Sequence, residues 1–175
     1  MLEHIPLLKE ASIEEFYSLY DQYNEDQVYA YALIFNEYLR IEDLAISTIR
    51  SLFAEPEDPA QYLAEQDKWQ VKKWRHRSLP CTENRFAEFK LLLADYFKKI
   101  HMFGNPMQGQ EYANTQNNLD LVIRTFTQAK EAFAHSYGLD THNIVFFIHL
   151  PHQPPISIHS AQRLNLDNAL LNEFI

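Results

Sequence analysis

Val28 to Phe35 reads Val-Tyr-Ala-Tyr-Ala-Leu-Ile-Phe, eight apolar or aromatic residues in a row between Gln27 and Asn36. The run is far short of the roughly 20 residues a membrane helix needs. Its Val, Tyr, Ile and Phe content also disfavours a surface helix. A strand buried on both faces has this pattern, because a charge on either face would lose its water. Alternation sets Ala30 and Ala32 on one face, leaving room for a helix to pack closely, and Tyr29, Tyr31, Leu33 and Phe35 on the other. The fold is expected to centre on this strand.

Around it the sequence predicts an α+β domain spanning 1–175, a small and mostly antiparallel sheet covered by helices. Strands are expected near 27–36, 43–49 and 143–149, with 156–159 as a candidate edge strand. Helices are expected near 12–23, 84–102, 116–137 and 166–174. Ser12-Ile13-Glu14-Glu15 reads as a capping box opening the first helix, whose inner face is Ile13, Phe16, Tyr17, Tyr20 and Tyr23. Residues 36–43 read as a connection. Ile41, Leu44, Ala45, Ile49, Leu52 and Phe53 would also line a helix, but the β-branched density at 46–49 favours a strand. Pro56 and Pro59 mark a loop ahead of a short helix at 60–65. Phe86, Phe89, Leu92, Leu93, Tyr96, Phe97 and Ile100 give the 84–102 helix its stripe, and residues 102–112, with Gly104, Pro106 and Gly109, read as a loop. Leu119, Val122, Ile123, Phe126, Ala129, Phe133 and Tyr137 form the next stripe, stopped by Gly138. Ile144 to Ile148 is a second central strand, and Pro151, Pro154 and Pro155 break it.

Bulk properties narrow the function classes. Of 175 residues, 46% are hydrophobic and 14% aromatic, which excludes global disorder and is ample for one core. Acidic residues near Met1 and the absence of an apolar h-region argue against a signal peptide, and a single cysteine, Cys81, fits a reducing cytosol. Net charge is −9, but unevenly placed: residues 1–67 carry fifteen Asp/Glu against Lys9, Arg40 and Arg50, a net of −12, leaving +3 for the remainder. Such a surface repels nucleic acid and anionic membranes and attracts basic partners.

Three glycines, none in a phosphate-cradling motif, disfavour nucleotide-dependent enzymes. His149, His152 and His159 are the one histidine cluster that could ligate zinc, but no HExxH or cysteine pair accompanies them, and they read as strand-end histidines. Cys81 sits in a loop without the context of a thiol nucleophile. Adjacent acids such as Glu14/Glu15 and Glu57/Asp58 diverge on a helix by about 100° per residue and would not converge on a substrate. Trp69 and Trp74 lie among Lys68, Lys72, Lys73, Arg75 and Arg77, five of the fifteen basic residues. That cluster could stack bases and neutralise phosphates. With an acidic third adjoining it, core anchoring by the tryptophans, with the cations reaching outward, is the preferred reading.

Tyr29 to Leu33, Asp67-Lys68-Trp69 with Trp74 five positions on, and the closing Ser160-Ala161-Gln162-Arg163-Leu164-Asn165 together resemble a bacterial family of domains of unknown function, family 4303-like. Order and spacing match over most of the chain, although Arg50-Ser51-Leu52 stands where the family has Asn-Thr-Glu. Members of that family sit near polymorphic-toxin genes, so the resemblance implies an immunity-like role and transfers no catalytic residue. Six of the ten tyrosines, 17, 20, 23, 29, 31 and 38, lie in the N-terminal third. Tyrosine offers rigid amphipathic contact area, and carboxylates steer a basic partner. The expectation is a non-enzymatic cytosolic immunity protein, without cofactor or metal, that binds a cognate and basic toxin domain, for example a nuclease. Asp21, Glu25, Asp26, Glu37, Tyr38, Glu42 and Asp43 would make the contacts, with neither nucleic acid nor membrane as partner and the chain a monomer or weak dimer. Two alternatives stay open: a small metal-dependent hydrolase using His149, His152 and His159, and a scaffold or dimerisation module.

Overall fold

The computed structural model describes residues 5–35, 41–52, 63–78 and 109–175. In chain order these form α1 (Ile5–Tyr23), β1 (Val28–Phe35), β2 (Ile41–Thr48), β3 (His76–Arg77), α2 (Gly109–Tyr137), β4 (Val145–His149), α3 (Pro154–Leu164) and α4 (Leu171–Phe174). The expected helix at 84–102 and residues 102–108 of the loop expected over 102–112 lie outside the described residues, as do Glu37, Tyr38 and Cys81. Residues 109–112 of that loop are instead the first turn of α2, and residues 41–43, read as part of a connection, open β2.

The sheet runs β3-β2-β1-β4. β1 pairs antiparallel with β2 and parallel with β4, and β2 pairs antiparallel with β3, so the sheet is mixed and mostly antiparallel within an α+β domain. β1 is the inner strand of the expected kind: Tyr29 through Phe35 are all buried. One face, Tyr31, Leu33, Phe35, Leu44, Ile46, Phe146 and Ile148, packs under α1 and α2. At its centre Phe16 lies 3.9 Å from Tyr31 by ring centroids, 5.3 Å from Phe126, 5.5 Å from Phe133 and 5.7 Å from Phe146. Edge-on aromatic contacts add about 0.5–1.5 kcal/mol each beyond area burial.

The second face is smaller, with Ala30, Ala32, Ile34, Ala45, Val145 and Phe147, and is roofed by Leu63, Val71, Trp74 and the C-terminal turn. Among the described residues, Trp74 belongs to the cluster on the alanine side. Trp74 stands edge-on to Phe147 at 5.7 Å, and its Nε1–H donates to Lys68 O at 3.0 Å. Tyr29 departs from the expected alternation. From Val28 to Ala30 β1 advances two residues while β2 advances one, from Thr48 to Ser47. This bulge turns Tyr29 onto the alanine face, against Trp69 at 5.3 Å, where its hydroxyl donates to Lys68 O at 2.7 Å.

Four other expectations are corrected. Ser12 and Glu15 are not a capping box: α1 starts no later than Ile5 because Pro6 fits a helix's first turn, and both lie buried within it. Residues 156–159 are helical, inside α3. Its first two residues are Pro154 and Pro155, which need no intrahelical donors there. The last helix is Leu171–Phe174 alone, since Asn165 ends α3 and Asp167 (φ +64°) turns the chain. Leu63 and Ala64, expected at the end of a short helix, are irregular and lead into a single 3₁₀ turn at Glu65–Asp67.

α3 lies along the free edge of β4 and takes the place of a fifth strand. Asn165 Oδ1 accepts the Phe146 N–H at 2.8 Å, Ser160 Oγ the Ile148 N–H at 2.9 Å, and Ser157 Oγ the Leu150 N–H at 3.2 Å. The Asn165 amide also donates to Phe146 O at 2.6 Å and Ala161 O at 2.7 Å. An open edge would offer these groups to another chain, and here side chains of one helix consume them. The family-like closing motif therefore has a structural reason, since Ser160 and Asn165 are two of its residues.

Candidate functional site

α1 turns its apolar residues to the sheet and leaves Glu14, Ser18, Asp21 and Gln22 exposed, followed by exposed Glu25 in the 3₁₀ turn Asn24–Asp26. The end of α1 meets the end of α2. There Tyr137 donates its hydroxyl hydrogen bond to Asp21 Oδ1 at 2.7 Å. Its ring lies 4.9 Å from Tyr17 and 5.6 Å from Tyr20. Loss of surrounding water, then the bond to and charge of Asp21, push the Tyr137 phenol up to about 12. Tyr17 and Tyr20 are half-buried with their inner edges on Phe133, whereas Tyr137 is 40% exposed. The result is a rim of three clustered tyrosines, one of them bonded to the Asp21 carboxylate, with exposed Ser18 and Glu25 nearby along the chain.

The structure divides the remaining sequence-predicted contact residues. Asp26 is half-buried and pairs with Arg50 at 3.0 Å. Glu42 is exposed and Asp43 half-buried, Asp43 pairing with Arg77 at 3.3 Å. The eight residues of β1 separate the Asp21–Asp26 group from the Glu42–Asp43 group, about 25 Å at roughly 3.3 Å per residue. They are two acidic sites at opposite ends of the β1–β2 pair. Of the six tyrosines counted in the N-terminal third, Tyr29 and Tyr31 are core residues, and Tyr23 packs against His76 with ring centroids 3.9 Å apart. Tyr137, which the sequence offered only as the last member of a core stripe, takes the surface role instead.

The histidines do not assemble as a metal site. His149 ends β4 half-buried, His152 is exposed in a left-handed turn (φ +62°), and His159 is exposed on α3. Among the described residues no three His, Cys, Asp or Glu side chains come together where they could hold a metal ion. The Trp69–Arg77 segment is anchored as expected of core tryptophans. Lys68 pairs with Glu173 at 2.5 Å and sits 5.1 Å from the Tyr29 ring, and Lys73 pairs with Asp67 at 2.6 Å. Arg77 donates to the carbonyls of Val71 at 3.0 Å and Trp74 at 3.3 Å. Lys68 and Arg77 thus hold the loop on the sheet, where outward-reaching cations were expected; Lys72, Lys73 and Arg75 are the exposed ones. Among the described residues no helix is long and apolar enough to cross a membrane.

Comparison with known proteins places these features in a group. A family model described as a domain of unknown function, DUF4303, matches residues 8–166. That span takes in α1 from Leu8, the whole sheet, and α3 with its Asn165. No curated protein and no solved structure matches.

Proposed function

The chain belongs to the DUF4303 family, and from its charge layout we propose that it is a non-enzymatic cytosolic immunity protein that neutralises a cognate bacterial toxin by binding it. The association of such domains with polymorphic-toxin genes, implied by the sequence resemblance, supports this reading. The observation that carries it is the rim at the end of α1, where Asp21 accepts a hydrogen bond from Tyr137, whose ring packs on Tyr17 and Tyr20, and where exposed Glu25 follows. Aromatic contact area beside fixed carboxylates is the composition of a binding hot spot for a basic surface. Lys9 is the one cation between residues 5 and 26, against six Asp/Glu. A basic nuclease is the natural target, because a protein that grips a polyanion presents the cations this face would meet.

Co-expression with the neighbouring open reading frame, scored by survival, tests the proposal. The intact chain restores growth, and an Asp21→Lys, Glu25→Lys double variant with unchanged folding does not. Growth equally restored by the double variant would remove the α1 rim from the mechanism. No protection by the intact chain would remove the proposal.

A further inference from the structure

The far end of the sheet carries a second polar assembly that the acidic rim does not use. Ile34 of β1 is paired with Asp43 of β2 on one side and with His149 of β4 on the other. Residues paired in register point to the same face. Ile34 belongs to the cluster beneath Trp74, so Asp43 and His149 flank it on that face. Arg77, paired with Ala45 of the same cluster, reaches Asp43 Oδ2 with its Nη1. The 3₁₀ turn Val71–Lys73 roofs the row: Val71 is buried in the cluster and Lys72 is exposed at its margin.

Among the described residues the Arg77–Asp43 pair leaves the Lys72 ammonium over in this row. Arg77 is committed to Asp43 and two backbone carbonyls. Lys72 has no ion-pair partner among the described residues, and the His149 ring makes no hydrogen bond to any of them, although it is half-buried. Burial first, then the nearby charges of Lys72 and Arg77, hold His149 below its ordinary value, so it is neutral at pH 7. Both groups lie on the Trp74 side of the sheet, where neither is bonded to a described residue and both can donate to an anion. An incoming dianion would favour the imidazolium and then face two positive charges.

We infer that Lys72 and His149, backed by the fixed Arg77–Asp43 pair, form a binding site for a small oxyanion of the phosphate class at the carboxyl end of β1 and β4. The site lies in the basic part of the chain, residues 68–175, which carries a net +3. It is independent of the acidic rim and of any toxin.

The test is a titration of the full chain with inorganic phosphate at constant ionic strength, following the His149 ring resonances by NMR across pH 5–8, with chloride as the control anion. The expected result is a saturable shift, with the His149 pKa raised by phosphate and unmoved by chloride. Lys72→Ala should weaken the phosphate response at least tenfold. His149→Asn, which retains a donor but has no ring to follow, is read by the backbone amide shifts of residues 145–149 and should weaken binding by less than Lys72→Ala does. Asp21→Lys should leave it unchanged. A response that does not saturate, one that chloride reproduces, or full affinity in Lys72→Ala would overturn the inference. Phenyl phosphate in place of inorganic phosphate separates a site for phosphate esters from one that accepts only the free ion.

Discussion

Replacing Asn165 by alanine removes the clasp at the bottom of the β4 edge. Asn165 is 1% exposed, and its amide accepts the Phe146 N–H at 2.8 Å while donating to Phe146 O at 2.6 Å. Ala161 O, its third partner, keeps a backbone bond from the Asn165 N–H at 3.1 Å. The substitution therefore orphans two buried backbone groups of Phe146. Each such group costs about 1–3 kcal/mol, so the loss is about 2–6 kcal/mol. That is a large share of the roughly 5–15 kcal/mol by which a domain is stable. At an m-value of roughly 2 kcal/mol per M the urea midpoint should fall by about 1 M or more. Asn165→Asp is the sharper variant. It keeps an acceptor for the Phe146 N–H but sets carboxylate oxygen against the carbonyls of Phe146 and Ala161, and should lose at least as much at pH 7. Amide exchange at Phe146 should accelerate in both. If both variants unfold within about 1 kcal/mol of the parent, the edge is not held by this side chain and the explanation of the closing motif is wrong.

Phe16→Ala removes the ring on which Tyr31, Phe126, Phe133 and Phe146 converge. A loss of about 3–5 kcal/mol is expected by denaturant titration, and a loss under about 1 kcal/mol would contradict the packing. Burial, as the largest cause, holds both His76 and His149 below 6.5. The unfolded chain therefore takes up protons first as pH falls below about 6.5, and their contribution, whole above that pH, is lost toward the lower folded-state values. Urea midpoints at pH 7.5 and 5.5 should differ in that direction, and the difference should shrink in a His76→Asn, His149→Asn double variant.

The sequence disclosed most where burial is apolar and regular. The Val28–Phe35 and Ile144–Ile148 runs are central strands, and the Leu119–Tyr137 stripe is a helix closed by Gly138 at φ +59°. It disclosed less where polar atoms do the burying. The inner face of α3 is Ser157, Ser160, Ala161 and Leu164, at helical spacing but without the apolar stripe that marks a helix. Its prolines read as breakers when they occupy the first turn. Tyr29 was misplaced because a bulge is a property of pairing, which a single strand's alternation does not carry. The acidic residues were legible as a charge excess, but their separation to two ends of β1 depends on the hairpin. Tyr137 lies 116 positions from Asp21, so nothing local marks their contact.

The acidic rim as a capture surface for a basic partner is tested most directly by the affinity of the purified chain for the protein encoded by the neighbouring open reading frame, measured at 50 and 300 mM salt for the parent and Asp21→Lys. The account predicts a 1:1 complex that weakens as salt rises, and at least a tenfold loss in Asp21→Lys that is larger at low salt. Equal affinity of the two proteins at both salt concentrations would contradict it.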